Sequence, residues 1–346
     1  MDSTITRAEV IPYALPFKDL YVTARGELKQ REMVLLRLHS EAAVGLGEAV
    51  PMTLRDNHSL AGVADELRDW AEVPEQPSDQ LSGPARCAIE TALLDLEAKA
   101  AGVPMWSLLG ANAAEPVDCN ATLGGGDPLQ VSQRALEWAN AGFRSFKLKV
   151  GLPGDINQVV LVRRAVGRDA MLRVDANGAW GTNDAVEELN AMHAEGHLEL
   201  AEQPCSSLAE LAALRGRVDV PIAADESVVD PESARRAIAA GACDLATVKL
   251  SKVGGPRGAL AVAGEMPVYL SSALDGPVGI AAAAHTAQAL RESGDAGVAH
   301  GLATQRMFAG TIASRHCDLH DGFLHLPEGP GLGVEIDDAA LERHRL

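Results

Sequence analysis

The chain has 346 residues, a net charge of −18, 47% hydrophobic and 23% charged residues, ample for a large buried core in one domain or two. The acidic balance excludes a nucleic-acid binder with a basic face. Five scattered cysteines without a CxxC pair exclude zinc and disulfide frameworks, and Gly279 to Leu290 is too short and too polar at His285, Thr286 and Gln288 to span a bilayer. With no basic-then-apolar segment after Met1, a cytoplasmic setting is expected.

Residues 3–50 read as an antiparallel meander, with runs at Ile5 to Pro16, Glu32 to Leu38 and Ala43 to Glu48. Two helices are predicted next, Leu60 to Val73 and Gly83 to Ala101, separated by a loop at Pro74 to Pro77. From Val117 the rhythm changes. Apolar runs near 118–122, 145–150, 171–175, 198–202, 221–225, 245–250, 267–272 and 296–301 alternate with helical patterns, one of them opening at Thr182-Asn183-Asp184. Eight βα units predict an α/β fold, a (β/α)-barrel of modified TIM type. The tail carries Pro327, Pro330 and several glycines and cannot form a ninth unit. The expected division is an α+β capping domain from 1–116, completed by the tail 316–346, and a barrel catalytic domain from 117–315.

Five runs end in a charge at near-constant spacing: Lys149, Asp175, Glu202, Asp225 and Lys249, separated by 26, 27, 23 and 24 residues. A charge at the end of a hydrophobic strand needs a metal or a counter-charge. In such barrels the working groups stand at the C-terminal strand ends, so these five converge. Three oxygen ligands without His or Cys suit Mg²⁺, with Mn²⁺ able to take its place, and disfavour zinc. Lys149 and Lys249 would flank the metal, where a cation lowers a lysine's pKa and lets it act as a base.

Lys147-Leu148-Lys149, Asp175-Ala176-Asn177, Glu202-Gln203-Pro204, Ala224-Asp225-Glu226-Ser227 and Lys249 to Gly255 together resemble the muconate-lactonizing subgroup of the enolase superfamily. Gly47-Glu48-Ala49, Ala88 to Leu96 and Gly329 to Gly333 extend the resemblance over nearly the whole chain. It implies that Asp175, Glu202 and Asp225 bind the metal, that Lys149 and Lys249 form the acid–base pair, and that Lys147 tunes Lys149. Asn177 and Glu226 would support the ligands from behind. Superfamily sites pair a Lys or His base with Mg²⁺ to stabilise an enediolate, and that mechanism comes with the resemblance. The seventh run ends in Leu270-Ser271-Ser272 without a His, unlike the mandelate-racemase subgroup.

Ser271-Ser272-Ala273-Leu274-Asp275 followed by Val278-Gly279-Ile280 resembles the o-succinylbenzoate synthases. That likeness implies a lyase that dehydrates 2-succinyl-6-hydroxy-2,4-cyclohexadiene-1-carboxylate in menaquinone biosynthesis, with Ser271, Ser272 and Ala273 near the substrate. The same residues taken alone also read as a serine-rich helix cap. Residues 301–310 hold no Asp or Glu, where dipeptide epimerases carry an Asp-x-Asp and muconate cycloisomerases a Glu nearby. An N-acyl or N-succinyl amino acid racemase uses the same lysines and stands as the isomerase alternative; an inactive metal-binding barrel is the non-enzyme one. The partner expected is a small-molecule carboxylate, not a membrane or nucleic acid, and a homo-oligomer is compatible with the sequence. Loops at Tyr21 to Gly26 and Met52 to His58 read as lids, with Arg25 or Arg55 as a contact for a substrate carboxylate.

Overall fold

The N-terminal runs pair as an antiparallel sheet of β1 (Arg7–Thr23), β2 (Gly26–His39) and β3 (Val44–Ala49), in that order. The structure, a computed structural model, describes every residue except 1–3, 24–25, 52–57, 75 and 77, and the side chains of 22 and 23. Successive strand side chains point to opposite faces, and over Met33 to Leu36 of β2 both faces are buried. Val34, Leu36 and Leu38 pack with Val63, Leu67, Trp70 and Ile89 of two helices, Leu60–Glu72 and Gly83–Ala101. Met33 and Leu35 join the larger core that runs into the barrel. Ser59 and Ser82 cap the two helices, and the second ends at Gly102 with φ 71°, a left-handed stop suited to glycine. This helix lies directly on β3. A Cβ at Gly47 would stand 1.9 Å from the carbonyl oxygen of Ala88, so only glycine allows the approach.

Beyond β4 (Val117–Asp118), seven parallel strands follow in sequential order: β5 (Asn120–Leu123), β6 (Ser145–Lys149), β7 (Met171–Asp175), β8 (Leu198–Glu202), β9 (Ile222–Ala224), β10 (Leu245–Val248) and β11 (Val268–Leu270). The eighth run closes the ring through a few backbone hydrogen bonds. The His300 N–H donates to Asp118 O and its carbonyl accepts from Asn120 N, each at 2.8 Å, while Gly301 N donates to Leu270 O at 2.8 Å on the other side. The His300 ring is part of this seam: its Nδ1 accepts from Leu270 N at 2.9 Å. Burial lowers its pKa to about 4, so the ring is neutral at neutral pH, as an acceptor must be.

Beneath the mouth the barrel is filled, not hollow. Leu200, Ala223, Leu245 and Tyr269 form an inner cluster with Ala296 and Val298. Arg173, wholly buried, crosses it. Its guanidinium donates to Glu199 Oε2 at 2.7 Å and Ala299 O at 2.8 Å, and lies over the Tyr269 ring at 5.1 Å. A buried guanidinium persists when it is paired in this way.

The tail has two destinations. After β12 (Ala313–Arg315), the hairpin of β13 (Asp318–His320) and β14 (Phe323–His325) pairs with β4 at the foot of the barrel. The segment from Gly331 onward reaches the N-terminal sheet, and β15 (Glu335–Ile336) returns to β12. Buried Asp95 fastens the join, accepting from Leu46 N at 2.8 Å, Leu332 N at 2.7 Å and Lys99 Nζ at 2.7 Å. No helix of the described residues is long and apolar enough to cross a membrane.

Candidate active site

Strand register brings the charges together. Lys149 of β6 lies opposite Asp175 of β7, which lies opposite Glu202 of β8. Glu202 pairs with Ala223, so Asp225 stands two residues on, one past the end of β9. Lys249 stands one past β10. Alternation then turns Lys147 inward one row below Lys149. All six side chains are buried, and Asp225 is fully so.

Ammonium groups engage every one of the three carboxylates. Lys147 Nζ lies 2.6 and 2.7 Å from the two Glu202 oxygens and 2.8 Å from Asp175 Oδ2. Lys149 Nζ lies 2.5 Å from Asp175 Oδ2 and 2.8 Å from Asn177 Oδ1. Lys249 donates to Asp225 Oδ2. Burial acts to lower the Lys147 pKa, but Asp175 and Glu202 outweigh it and push the pKa well above the usual lysine value. Among the described residues no three His, Cys, Asp or Glu side chains close round one point, because the three acids face lysines instead. Their chemistry nevertheless fits a hard cation: three buried carboxylates at neighbouring strand ends, with oxygen donors only.

Asn177 and Glu226 join the same network, Asn177 Nδ2 donating to Glu226 Oε1 at 3.2 Å. Asn177 has φ 48° and Gln203 φ 38°, so the chain turns sharply just after two of the acids. The Gln203 amide bridges to the next strand end, its Oε1 accepting from Asp225 N at 2.8 Å and its Nε2 donating to Ser227 Oγ at 2.7 Å.

Two residues enter the site without having been singled out for it. Lys252, which lies within the Lys249 to Gly255 motif but was given no role there, is a second partner of Asp225, with Nζ 3.0 Å from Oδ1. Tyr269, read as one residue of an apolar run, donates its hydroxyl to Glu202 Oε2 at 2.5 Å. The apolar run hid it, since a tyrosine in such a run usually packs by its ring; the useful signal was its parity with Ser271, both facing inward.

The seventh-strand residues divide. Ser272 Oγ donates to Asp275 Oδ2 at 2.7 Å and accepts from Asp275 N and the Thr304 hydroxyl at 2.8 Å, so this hydroxyl is committed to shaping its own loop. Ser271 takes no part in that cluster and pairs with Gly301 across the barrel closure. Ala273 N donates to Asp275 Oδ2 at 2.8 Å. Arg25 and Arg55 lie outside the described residues.

Comparison with known proteins gives the family and the fold. The model of the mandelate racemase / muconate lactonizing enzyme N-terminal domain matches residues 3–110, and that of the enolase C-terminal domain-like family matches residues 130–340. An o-succinylbenzoate synthase of Mycobacterium tuberculosis (strain H37Rv) is 45% identical over 190 residues, which cover 53% of this chain and 56% of that protein. The chain thus spans little more than half the length of the curated relative it matches. Among solved structures, muconate lactonizing enzyme from Pseudomonas fluorescens, complexed with muconolactone, superposes with a TM-score of 0.91 over the full length of both chains at 26% identity. A dipeptide epimerase from Enterococcus faecalis V583, complexed with Mg and the dipeptide L-Leu-L-Tyr, superposes with a TM-score of 0.89 over 96% of this chain and 99% of its own, at 27% identity. These matches identify a barrel enzyme with an N-terminal capping domain, and the chain belongs to the enolase superfamily, in its mandelate racemase / muconate lactonizing enzyme branch.

Proposed function

We propose that this protein is an o-succinylbenzoate synthase, dehydrating 2-succinyl-6-hydroxy-2,4-cyclohexadiene-1-carboxylate to o-succinylbenzoate and water. The observation that carries the chemistry is the row of buried lysine–carboxylate pairs across the barrel mouth, Lys149 on Asp175 and Lys249 on Asp225. The substrate assignment is supported by the synthase relative and by the absence of Asp and Glu from residues 301–310, which leaves no acid there for a substrate ammonium. Residues 117–315 would supply the chemistry; 1–116, joined by the tail from Gly331 onward, would cover the mouth, while the tail hairpin Asp318–His325 stays at the foot of the barrel.

Asp175, Glu202 and Asp225 would hold Mg²⁺. When bound, the ion supplies Lewis-acid stabilisation of the negative charge that proton loss puts on the substrate carboxylate, and its charge favours the neutral form of neighbouring lysines. Lys149 in its neutral form takes the proton from the ring carbon bearing the carboxylate. The carbon's electron pair then forms the new ring double bond as the C–O bond to the hydroxyl breaks. Lys149, now an ammonium, gives its proton to the departing oxygen, so water leaves and the ring becomes aromatic. Lys249 stays protonated on the opposite face and counters the developing charge. Lys147 keeps Asp175 and Glu202 in place from below, and Asn177 aims Lys149 through its 2.8 Å contact.

Purified protein with Mg²⁺ in D₂O is offered the cyclohexadiene, N-succinyl amino acids and dipeptides in separate reactions. Dehydration of the first with no appreciable α-deuteration of the others is expected. Rapid α-deuteration of an amino-acid derivative without dehydration would transfer the site to the racemases.

A further inference from the structure

The loop after the seventh barrel strand is held in an unfavourable shape. Leu274 has φ 67°, a left-handed conformation that is unfavourable for an apolar residue with a Cβ and persists only where the surroundings impose it. Two buried carboxylates do so. Asp275 binds the loop from within, through Ser272 and Ala273 N. Glu48 binds it from the N-terminal sheet: its Oε1 accepts from Gly276 N at 2.6 Å, and its Oε2 accepts from Val278 N at 3.3 Å and from the Tyr13 hydroxyl at 2.9 Å.

The helix Pro277–Leu290 has no side-chain cap of its own, so Glu48 supplies one from more than two hundred residues away. A carboxylate at a helix N-terminus satisfies free N–H groups and complements the dipole. Room for it has been made on the barrel side. A Cβ at Gly276 would lie 2.7 Å from Glu48 Oε2, and one at Gly279 2.8 Å from Glu48 Oε1.

We infer that Glu48 is a positioning residue: a strut by which the capping sheet fixes the Ser271–Gly276 loop in its substrate-receiving shape. The inference rests on the proposed synthase reading, on which Ser271 to Ala273 would lie near the substrate. Fixing the loop acts on substrate binding and leaves the lysines untouched, so Glu48 governs KM more than kcat.

The test compares the full-length protein with its Glu48→Gln and Tyr13→Phe variants, both close in shape to the native side chain. Amide exchange over 271–278, which needs no substrate, is measured beside KM and kcat for the cyclohexadiene. Glu48→Gln replaces an acceptor facing Val278 N or Gly276 N with a donor. Exchange there should quicken about tenfold or more and KM rise about tenfold, with kcat within about twofold; Tyr13→Phe should shift both in the same direction by less. Unchanged exchange in Glu48→Gln would overturn the strut. Faster exchange with KM unmoved would overturn its part in substrate binding. If the unaltered enzyme fails to turn over the cyclohexadiene, the functional proposal fails alone, and exchange still decides whether the strut exists.

Discussion

The Tyr269 hydroxyl donates to Glu202 Oε2 at 2.5 Å from a side chain with no solvent exposure, just below the carboxylate row. Burial first, and Glu202 beside it, push the phenol pKa far above its usual value, so it remains a donor throughout the working pH range. It therefore fixes the rotation of one of the three acids. Tyr269→Phe should destabilise the protein by about 1–3 kcal/mol in urea unfolding and weaken Mg²⁺ binding about tenfold by calorimetry. A variant matching the parent in both would deprive Tyr269 of this role.

Lys147 is the only ammonium bonded to both Asp175 and Glu202 among the described residues. Lys147→Met leaves two buried carboxylates facing each other with one neutralising charge fewer, which should cost about 3–5 kcal/mol. The loss should be greatest in chelator and shrink as Mg²⁺ is added, because the ion would supply the missing positive charge. Thermal melts with and without Mg²⁺ read this directly. Equal loss in both conditions would argue against a cation among these acids.

Glu48 also gives stability a pH signature. Burial first, then the nearby Asp275 charge, raise its pKa from 4.5 to about 7, against the lowering effect of its donors Tyr13, Gly276 and Val278. Among the described residues, Arg31 on β2 also faces Asp275, and Cys87 on the Gly83–Ala101 helix lies beside the pair. Below pH 4.5 the group is protonated whether the chain is folded or unfolded. Between 4.5 and 7 only the folded chain keeps the proton. Folding stability therefore falls across this window, by about 3 kcal/mol in all, because burying the ionised carboxylate costs more than its three donors return. The unfolding free energy of the wild type minus that of Glu48→Gln should fall across this window. Parallel curves would show that Glu48 titrates normally.

Much of the fold could be read from the chain because its signals are local. A charge closing an apolar run marks a barrel strand end, and Lys149, Asp175 and Glu202 fall in one row because parallel register follows the run lengths. The residues that were harder to read depend on contacts distant in sequence. Arg173 looks like a surface residue until four elements are seen to supply its acceptors, and Lys252 reaches Asp225 only through the helical turn Leu250–Val253. Ser272 shows the converse. A serine pair at a barrel mouth suggests ligand binding, but the Ser272 hydroxyl is used up by Asp275 and Thr304, which no local pattern announces. The eighth strand was legible as an apolar run, yet its hold is a few bonds around His300 and Gly301.

The proposed chemistry depends above all on Lys149, whose ammonium sits between Asp175 and Asn177. Turnover of the cyclohexadiene by wild type and Lys149→Ala, side by side with saturating Mg²⁺ and matched circular dichroism spectra, tests it most directly. The wild type should aromatise the substrate, and the variant should be slower by about a thousandfold or more, since one group serves as both base and acid. Aromatisation by a folded Lys149→Ala variant at a rate near that of the wild type would contradict the proposal.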